Sequence, residues 1–376
     1  MRYFLFILVS LFLFYGCSAS LIRIKTYPGQ KTYSMFGKTP ERDFYSSKSI
    51  GDTLIKKWEN DVNGGFANTS ITVYGGYIFA GDLSGRVFCF NDSTGKQIGK
   101  LKYKGAVFSA PIIDKTNVIF AVASENSNES NLISYNFIAG KENYDKEING
   151  KILTEMIKKD SNIIFNTEDG KVFRYSAGGN KIWELESGSF VHSSPAMSDN
   201  VIFFGNDKGE ILAVDYNNGR LLYRRKTGGP FFCGAAIRDD IAFIGNDNGK
   251  LYAIEIKSGN VKWELNTHAR ITMTPAIKDS IIIIGNLNGD LYAVDKSSGR
   301  QIWVNKTGGL LNATPLIARN SVIQPDLNEK LYLIDLFTGK IFDTYSLDGR
   351  VKLTPVIADS TLFIGYERGN IRAYKF

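Results

Sequence analysis

The sequence predicts an all-β fold: an eight-bladed β-propeller of four-stranded antiparallel blades. Three observations carry that expectation. A strand–turn–strand pattern returns along the chain, as "ILAVDYNNGRLLY" (211–223), "LYAIEIKSGNVKW" (251–263) and "LYAVDKSSGRQIW" (291–303). Its last five copies recur at forty-residue steps without a slip. The final copy stops after its third strand, at Phe376, while an unpartnered fourth-strand segment, "LIKKWEND" (54–61), stands near the start. A four-stranded unit of about 40 residues, repeated several times, is the sequence mark of a propeller.

Composition agrees. The 376 residues include 37 Gly against 9 Pro, with 25 Phe and 19 Tyr, a balance that favours short strands joined by tight turns. The first residues are a separate object. "MRYFLFILVSLFLFYGC" has one positive charge, Arg2, then an apolar run ending at Gly16-Cys17, the pattern of an export signal. It is shorter than the ~20 residues that a spanning helix needs. The stretch resembles a bacterial lipoprotein signal, with residues 1–16 removed and Cys17 lipidated; Ser18 then implies sorting to the outer membrane. Phe14 and Tyr15 depart from that family's usual Leu and small residue. Residues 17–51 read as the lipidated N-terminus and a polar linker, and 52–376 as the propeller.

Aligned on the turn glycine, the third strands are "RVFCFN" after Gly85, "NLISYN" from Asn131, "KVFRYS" after Gly170, "EILAVD" after Gly209, "KLYAIE" after Gly249, "DLYAVD" after Gly289, "KLYLID" from Lys330 and "NIRAYK" after Gly369. A polar insertion, 123–131, lengthens the second copy. Each second strand, such as "SIIIIG", is a continuous apolar run, as expected of a strand covered on both faces. "GNLNG" and "KSSG" supply residues that tolerate the positive φ of tight turns. Pairing 54–61 with the last blade closes the ring and removes a free sheet edge.

All four tryptophans, Trp58, Trp183, Trp263 and Trp303, fall in one register of the fourth strand, with Tyr144 and Tyr223 in the same slot. One large aromatic per blade at one position reads as a wedge against the next blade. Gly99 and Asp343 fill that slot in blades one and seven, which are expected to be the least tightly locked. Cys89 takes the register of Ala213, Ala253 and Ala293, and Cys233 lies several repeats away, so two buried free thiols are expected.

Catalytic chemistry is sparse. His192 and His268 lie in different blades without an HExxH pattern, and no GxSxG, Walker A or strand–GxGxxG motif occurs. "NDNGK" and "GDLSG" resemble calcium loops but stand at hairpin turns and lack the distal Glu. The formal charge of +7 is spread without a basic stripe interleaved with aromatics, so no nucleic-acid partner is expected. No metal and no cofactor are expected. Function is therefore sought on the face where loops join one blade to the next. There "SGSFVHSSP" carries Phe190, Val191 and His192, and "KTGGPFFCGAA" carries Pro230, Phe231 and Phe232; Arg270 belongs to a small basic group. Alternation along the chain leaves some of these side chains inside.

The hairpin resembles the tryptophan-docking motif of the PQQ-type repeat, which quinoprotein dehydrogenases and non-catalytic relatives share. Those enzymes also hold calcium, a catalytic Asp and an adjacent cysteine pair; no adjacent cysteines occur here. With the lipobox-like Cys17 and the N-terminal closing strand, the chain resembles the BamB family. The resemblance implies a non-enzymatic scaffold on the periplasmic face of the outer membrane. Its partners would be BamA POTRA domains and other subunits of the β-barrel assembly machinery, with unfolded outer-membrane proteins as clients, and it would act as a monomer within a hetero-complex. The family's partner face uses segments entering blades four and five, where Phe190, His192, Pro230 and Phe232 stand here. Two alternatives stay open: a periplasmic PQQ-dependent dehydrogenase-like protein, and a propeller lipoprotein binding another envelope partner.

Overall fold

The computed structural model describes residues 21–25, 32–51 and 53–376; Cys17 and the signal, 1–16, lie outside them. The described chain forms eight sheets, five of consecutive strands alone and three that each take in one strand from the N-terminal region, with one short 3-10 turn at Glu367–Gly369 as its helical element. The sixth blade shows the plan: an inner strand Ala276–Lys278, then Ile281–Gly285, Asp290–Asp295 and the outer strand Gln301–Lys306. Antiparallel pairing puts the first–second and third–fourth strand turns on one side, here the turn face. The second–third turns and the blade-to-blade loops share the other, the loop face.

Closure is as the sequence predicts. Ile55–Asp61 pairs with the last strand, Asn370–Lys375, in the register Lys56↔Tyr374, Trp58↔Ala373 and Glu59↔Arg372. The Arg372 guanidinium, buried at this junction, bonds both Glu59 carboxylate oxygens at 3.0 and 2.9 Å. The chain's head thus meets its tail through a ladder and a charge-assisted bond.

Composition placed residues 33–51 in a linker; the structure places them inside the ring. Thr32–Tyr33 extends the first blade, and Tyr45–Ser46 adds a parallel strand to the seventh. Between them the segment, a strap, circles the inner strands. Carbonyls of Ser34, Pro40, Glu41, Asp43 and Phe44 accept the N–H groups of Ile113, Met197, Ile237, Ile277 and Ile317 at 2.8–3.0 Å. Inner strands carry edge N–H groups that the blade itself cannot pair, and the strap satisfies them in turn.

At six seams between blades an aromatic of the fourth strand packs on the next blade's turn glycine, and at five of them it also donates a hydrogen bond. Trp58, Trp183, Trp263 and Trp303 each donate the indole N–H to a carbonyl of the next blade's third–fourth turn, at 2.8–3.0 Å. Tyr223 donates its hydroxyl to the Ile256 carbonyl in the same way, at 2.9 Å. Each ring lies flat on the turn glycine: a Cβ on Gly299 would stand 2.6 Å from Trp263, and one on Gly179 2.8 Å from Tyr144. These glycines also have φ near +71° to +84°, so glycine answers both needs at once.

The two slots without an aromatic are filled from outside the repeat. At the first seam Arg23 lies over Gly140, while Ile22 and Ile24, almost wholly buried, join Leu101 and Phe137. Ile24 N–H reaches the Phe137 carbonyl at 2.8 Å and Tyr135 donates to the Ile22 carbonyl at 2.9 Å. At the seventh seam, Ile50 and Leu54 pack with Leu333, Leu347 and Tyr374, and the Leu54 N–H reaches the Tyr345 hydroxyl at 2.8 Å. The N-terminal segment therefore fills both gaps. Cys89 and Cys233 are free and buried, and burial raises both thiols well above the ordinary range, Cys233 to about 12.

Candidate functional site

The loop face is built from three successive positions in each blade-to-blade loop. The first is a tip: Phe190, Pro230, Arg270, Leu310 and Arg350. Phe190 is 59% exposed and Leu310 48%, large fractions for apolar side chains. The second points inward: Val191, Phe231, Ile271, Leu311 and Val351 are buried to 1% or less. Phe231 lies on Gly205, where a Cβ would meet it at 2.4 Å, and Ile271 stands over Gly245 in the same way. That close approach explains why these second strands end in glycine. The third position, His192, Phe232, Thr272, Asn312 and Lys352, lines the central funnel.

This pattern sorts the residues named from sequence. Phe190 and Arg270 reach solvent, while Pro230, Phe232 and His192 are half-buried. Val191 and Phe231 are core residues and offer no surface to a partner. Arg270 is engaged by Asp247 through its Nε. His192 joins three loops. Its Nδ1 lies 2.9 Å from Asp207 Oδ2, its Nε2 lies 3.2 Å from Glu168 Oε1, and its ring meets Phe232 edge-on at 5.7 Å. Phe190, His192 and Phe232 thus share one patch beside the funnel mouth.

The funnel encloses about 330 Å³. Its wall is a ring of small and hydroxyl residues, including Thr154, Ser194, Thr274, Thr314 and Thr354, and Phe36 of the strap reaches its floor. Below lies a pair that sequence reading missed. Arg42 of the strap, only 1% exposed, donates its Nη2 to the Glu155 carbonyl at 3.2 Å and stacks over Phe36 at 5.5 Å. The Glu155 carboxylate takes the Thr69 hydroxyl and the Ala110 N–H, the latter at 2.9 Å. Burial pushes the Glu155 carboxyl up to about 7, against the pull of Thr69 and Arg42. Burial likewise lowers Arg42 to about 10. One signal was available: Glu155 occupies the register held by Ser194, Thr274, Thr314 and Thr354 in other blades, and Met156 follows it where those blades have proline.

The calcium-like turns are hairpin devices. Asn246 Oδ1 accepts the N–H groups of Asn248 and Lys250 at 3.1 and 2.9 Å, and its Nδ2 reaches across to the Gly228 carbonyl at 2.6 Å. Nor does the funnel suit a quinone cofactor on a cation. Among its described lining residues Glu155 is the sole carboxylate, and its oxygens are already held by Thr69 and Ala110. No groups of three or more His, Cys, Asp and Glu arranged to hold a metal occur among the described residues.

Comparison with known proteins places the ring. The crystal structure of BamB from Moraxella catarrhalis superposes with a TM-score of 0.73 at 16% identity, over 86% of this chain and all of that one. The computationally designed Ika8 protein gives 0.75 at 13% identity over 87% and 100%. A europium-containing methanol dehydrogenase gives 0.76 at 9% identity over 92% and 98%. At such identities the likeness is one of fold, shared by a designed protein and an enzyme. No curated protein sequence matches the chain. The family model for outer membrane protein assembly factor BamB matches residues 53–263 and 222–375, in effect the whole ring, and the chain belongs to that family.

Proposed function

We propose that this chain is a non-enzymatic scaffold lipoprotein of the outer-membrane β-barrel assembly machinery. It is anchored through Cys17 on the periplasmic face and docks BamA-like POTRA domains on its loop face. The observation that carries this reading is the family match along the entire propeller. The loop face supports it with exposed apolar tips at Phe190 and Leu310 and the half-buried Phe232 and His192 between them. Large side chains set in a rigid frame are what a protein partner uses as an anchor. Among the described residues no helix is long and apolar enough to cross a membrane.

A photo-crosslinker placed at Phe190, and separately at Phe232, tests the reading in cell envelopes. Capture of a BamA-like protein from these positions, with none from Asn260 on the turn face, is the expected result. Capture of other envelope proteins, or equal capture from both faces, would overturn it.

A further inference from the structure

The turn face is not electrically uniform, and its asymmetry coincides with the place where the chain's first described residues leave the ring. In blades four to seven, the third–fourth turn is capped by an acid: Asp215, Glu255, Asp295 or Asp335. Asp295 Oδ1, for example, accepts the Ser298 N–H at 2.9 Å, and hydrogen bonds from Ser297 and Ser298 hold its carboxyl down at about 2. In the first three blades the cap is neutral. Asn91 accepts the Thr94 N–H at 2.9 Å, Asn136 accepts the Ala139 N–H at 2.7 Å, and Ser176 accepts the Asn180 N–H at 3.2 Å. The turn works equally well either way, so fold requirements do not account for the difference in charge.

The exposed bases of the first two turns, Lys96 and Lys141, therefore lack the capping acid that neighbours Arg220, Arg300 and Lys340 elsewhere. Asp92 and Glu142 are their nearest acids in sequence, and Glu142 is engaged by the Tyr103 hydroxyl, at 2.5 Å. Exposed Arg23 and Lys25 emerge at the same seam, with Leu21 60% exposed beside them; Ile55, on the adjoining eighth blade, is 63% exposed. None of these four bases forms an ion pair with another described residue. Only four peptide units separate Cys17 from Leu21, a reach of at most ~14 Å.

We propose that this rim, from blade eight through blade three on the turn face, is a lipid-contact surface for an anionic leaflet. Leu21 and Ile55 enter the headgroup layer, and Arg23, Lys25, Lys96 and Lys141 meet lipid phosphates. The orientation rests on the lipid-anchor reading above, and the charge asymmetry stands without it. Acyl chains together with a basic patch form a two-part membrane attachment, each juxtamembrane base adding electrostatic attraction to anionic lipid. The loop face, on the opposite side of the ring, is then turned toward the periplasm and left free for a protein partner.

The full chain, bound to vesicles of phosphatidylcholine with and without phosphatidylglycerol, tests the proposal. The triple variant Lys25→Glu, Lys96→Glu, Lys141→Glu should cut the preference for anionic vesicles by roughly tenfold or more. The mirror variant Arg220→Glu, Arg300→Glu, Lys340→Glu should change it by less than about twofold, with both variants keeping the parent's thermal midpoint. Equal effects of the two triples, or a parent with no preference between the vesicles, would overturn the lipid-contact surface. Cys17→Ala, measured on neutral vesicles where rim charge contributes little, tests the anchor separately; binding there should be lost, and retention would refute the anchor and leave the rim result standing.

Discussion

The third and first seams of the ring solve the same problem with different parts. At the third, Trp183 lies on Gly219 and gives its N–H to the Tyr216 carbonyl at 2.8 Å. At the first, the slot holds Gly99, paired across the strands with Cys89, and Arg23, Ile22 and Ile24 arrive from elsewhere in the chain to fill it. The seventh seam repeats the second solution. There the next blade has no third–fourth turn to dock on, because its outer strand comes from the N-terminus, and Ile50 and Leu54 supply the bulk. The lesson is that a missing wedge in one repeat need not mark a weak seam. It marks a place where a part from outside the repeat has to go.

That contrast can be broken from either side. The largest effect should come from deleting 52–61, which removes the outer strand of the last blade and bares its edge. The product should aggregate, and a monodisperse ring by light scattering would count against closure. Next, Trp263→Ala should lose ~3–5 kcal/mol in denaturant titration, as large aromatic deletions in cores do. Ile24→Ala should cost ~2–4 kcal/mol although it lies far from the repeats in sequence, since its burial equals that of core aliphatics. A value near zero there would show that the first seam holds without residues 22–24.

A subtler effect belongs to the strap's buried pair. Glu155 has its proton affinity raised in the folded ring, from 4.5 to about 7, so the native state binds more protons than the unfolded chain across that interval. Stability should therefore fall as pH rises from about 4.5 to about 7 and level off above. Glu155→Gln should flatten that slope, and an unchanged slope would mean another group sets it. Smallest of all, Phe190→Ala should leave stability within ~0.5 kcal/mol because the ring is largely in water, while weakening capture of a partner at the loop face.

Most of the fold was legible because each blade writes its own signature. The forty-residue period, the apolar second strand and the single aromatic slot follow from local packing, and the orphan strand at 54–61 announces closure. The strap was not legible. Residues 33–51 have no repeat partner, and their contacts are made largely by backbone carbonyls such as those of Pro40 and Glu41, which carry no side-chain signal. The candidate site was half legible. Phe190 and Phe231 look alike in sequence, yet their neighbouring places in the loop send one outward and the other onto Gly205. Glu155 was visible as a departure from the hydroxyl register of Ser194, Thr274, Thr314 and Thr354 but had meaning only once Arg42 was placed beside it.

The central claim is that the N-terminal strap is a structural member of the ring. Residue-resolved hydrogen exchange on the intact protein tests it most directly at the N–H groups of Ile113, Met197, Ile237, Ile277 and Ile317, which donate to strap carbonyls at 2.8–3.0 Å. The account predicts exchange as slow as in the second strands of the blades. Exchange at the rate of the exposed hairpin turns, with the rest of the ring protected, would contradict it.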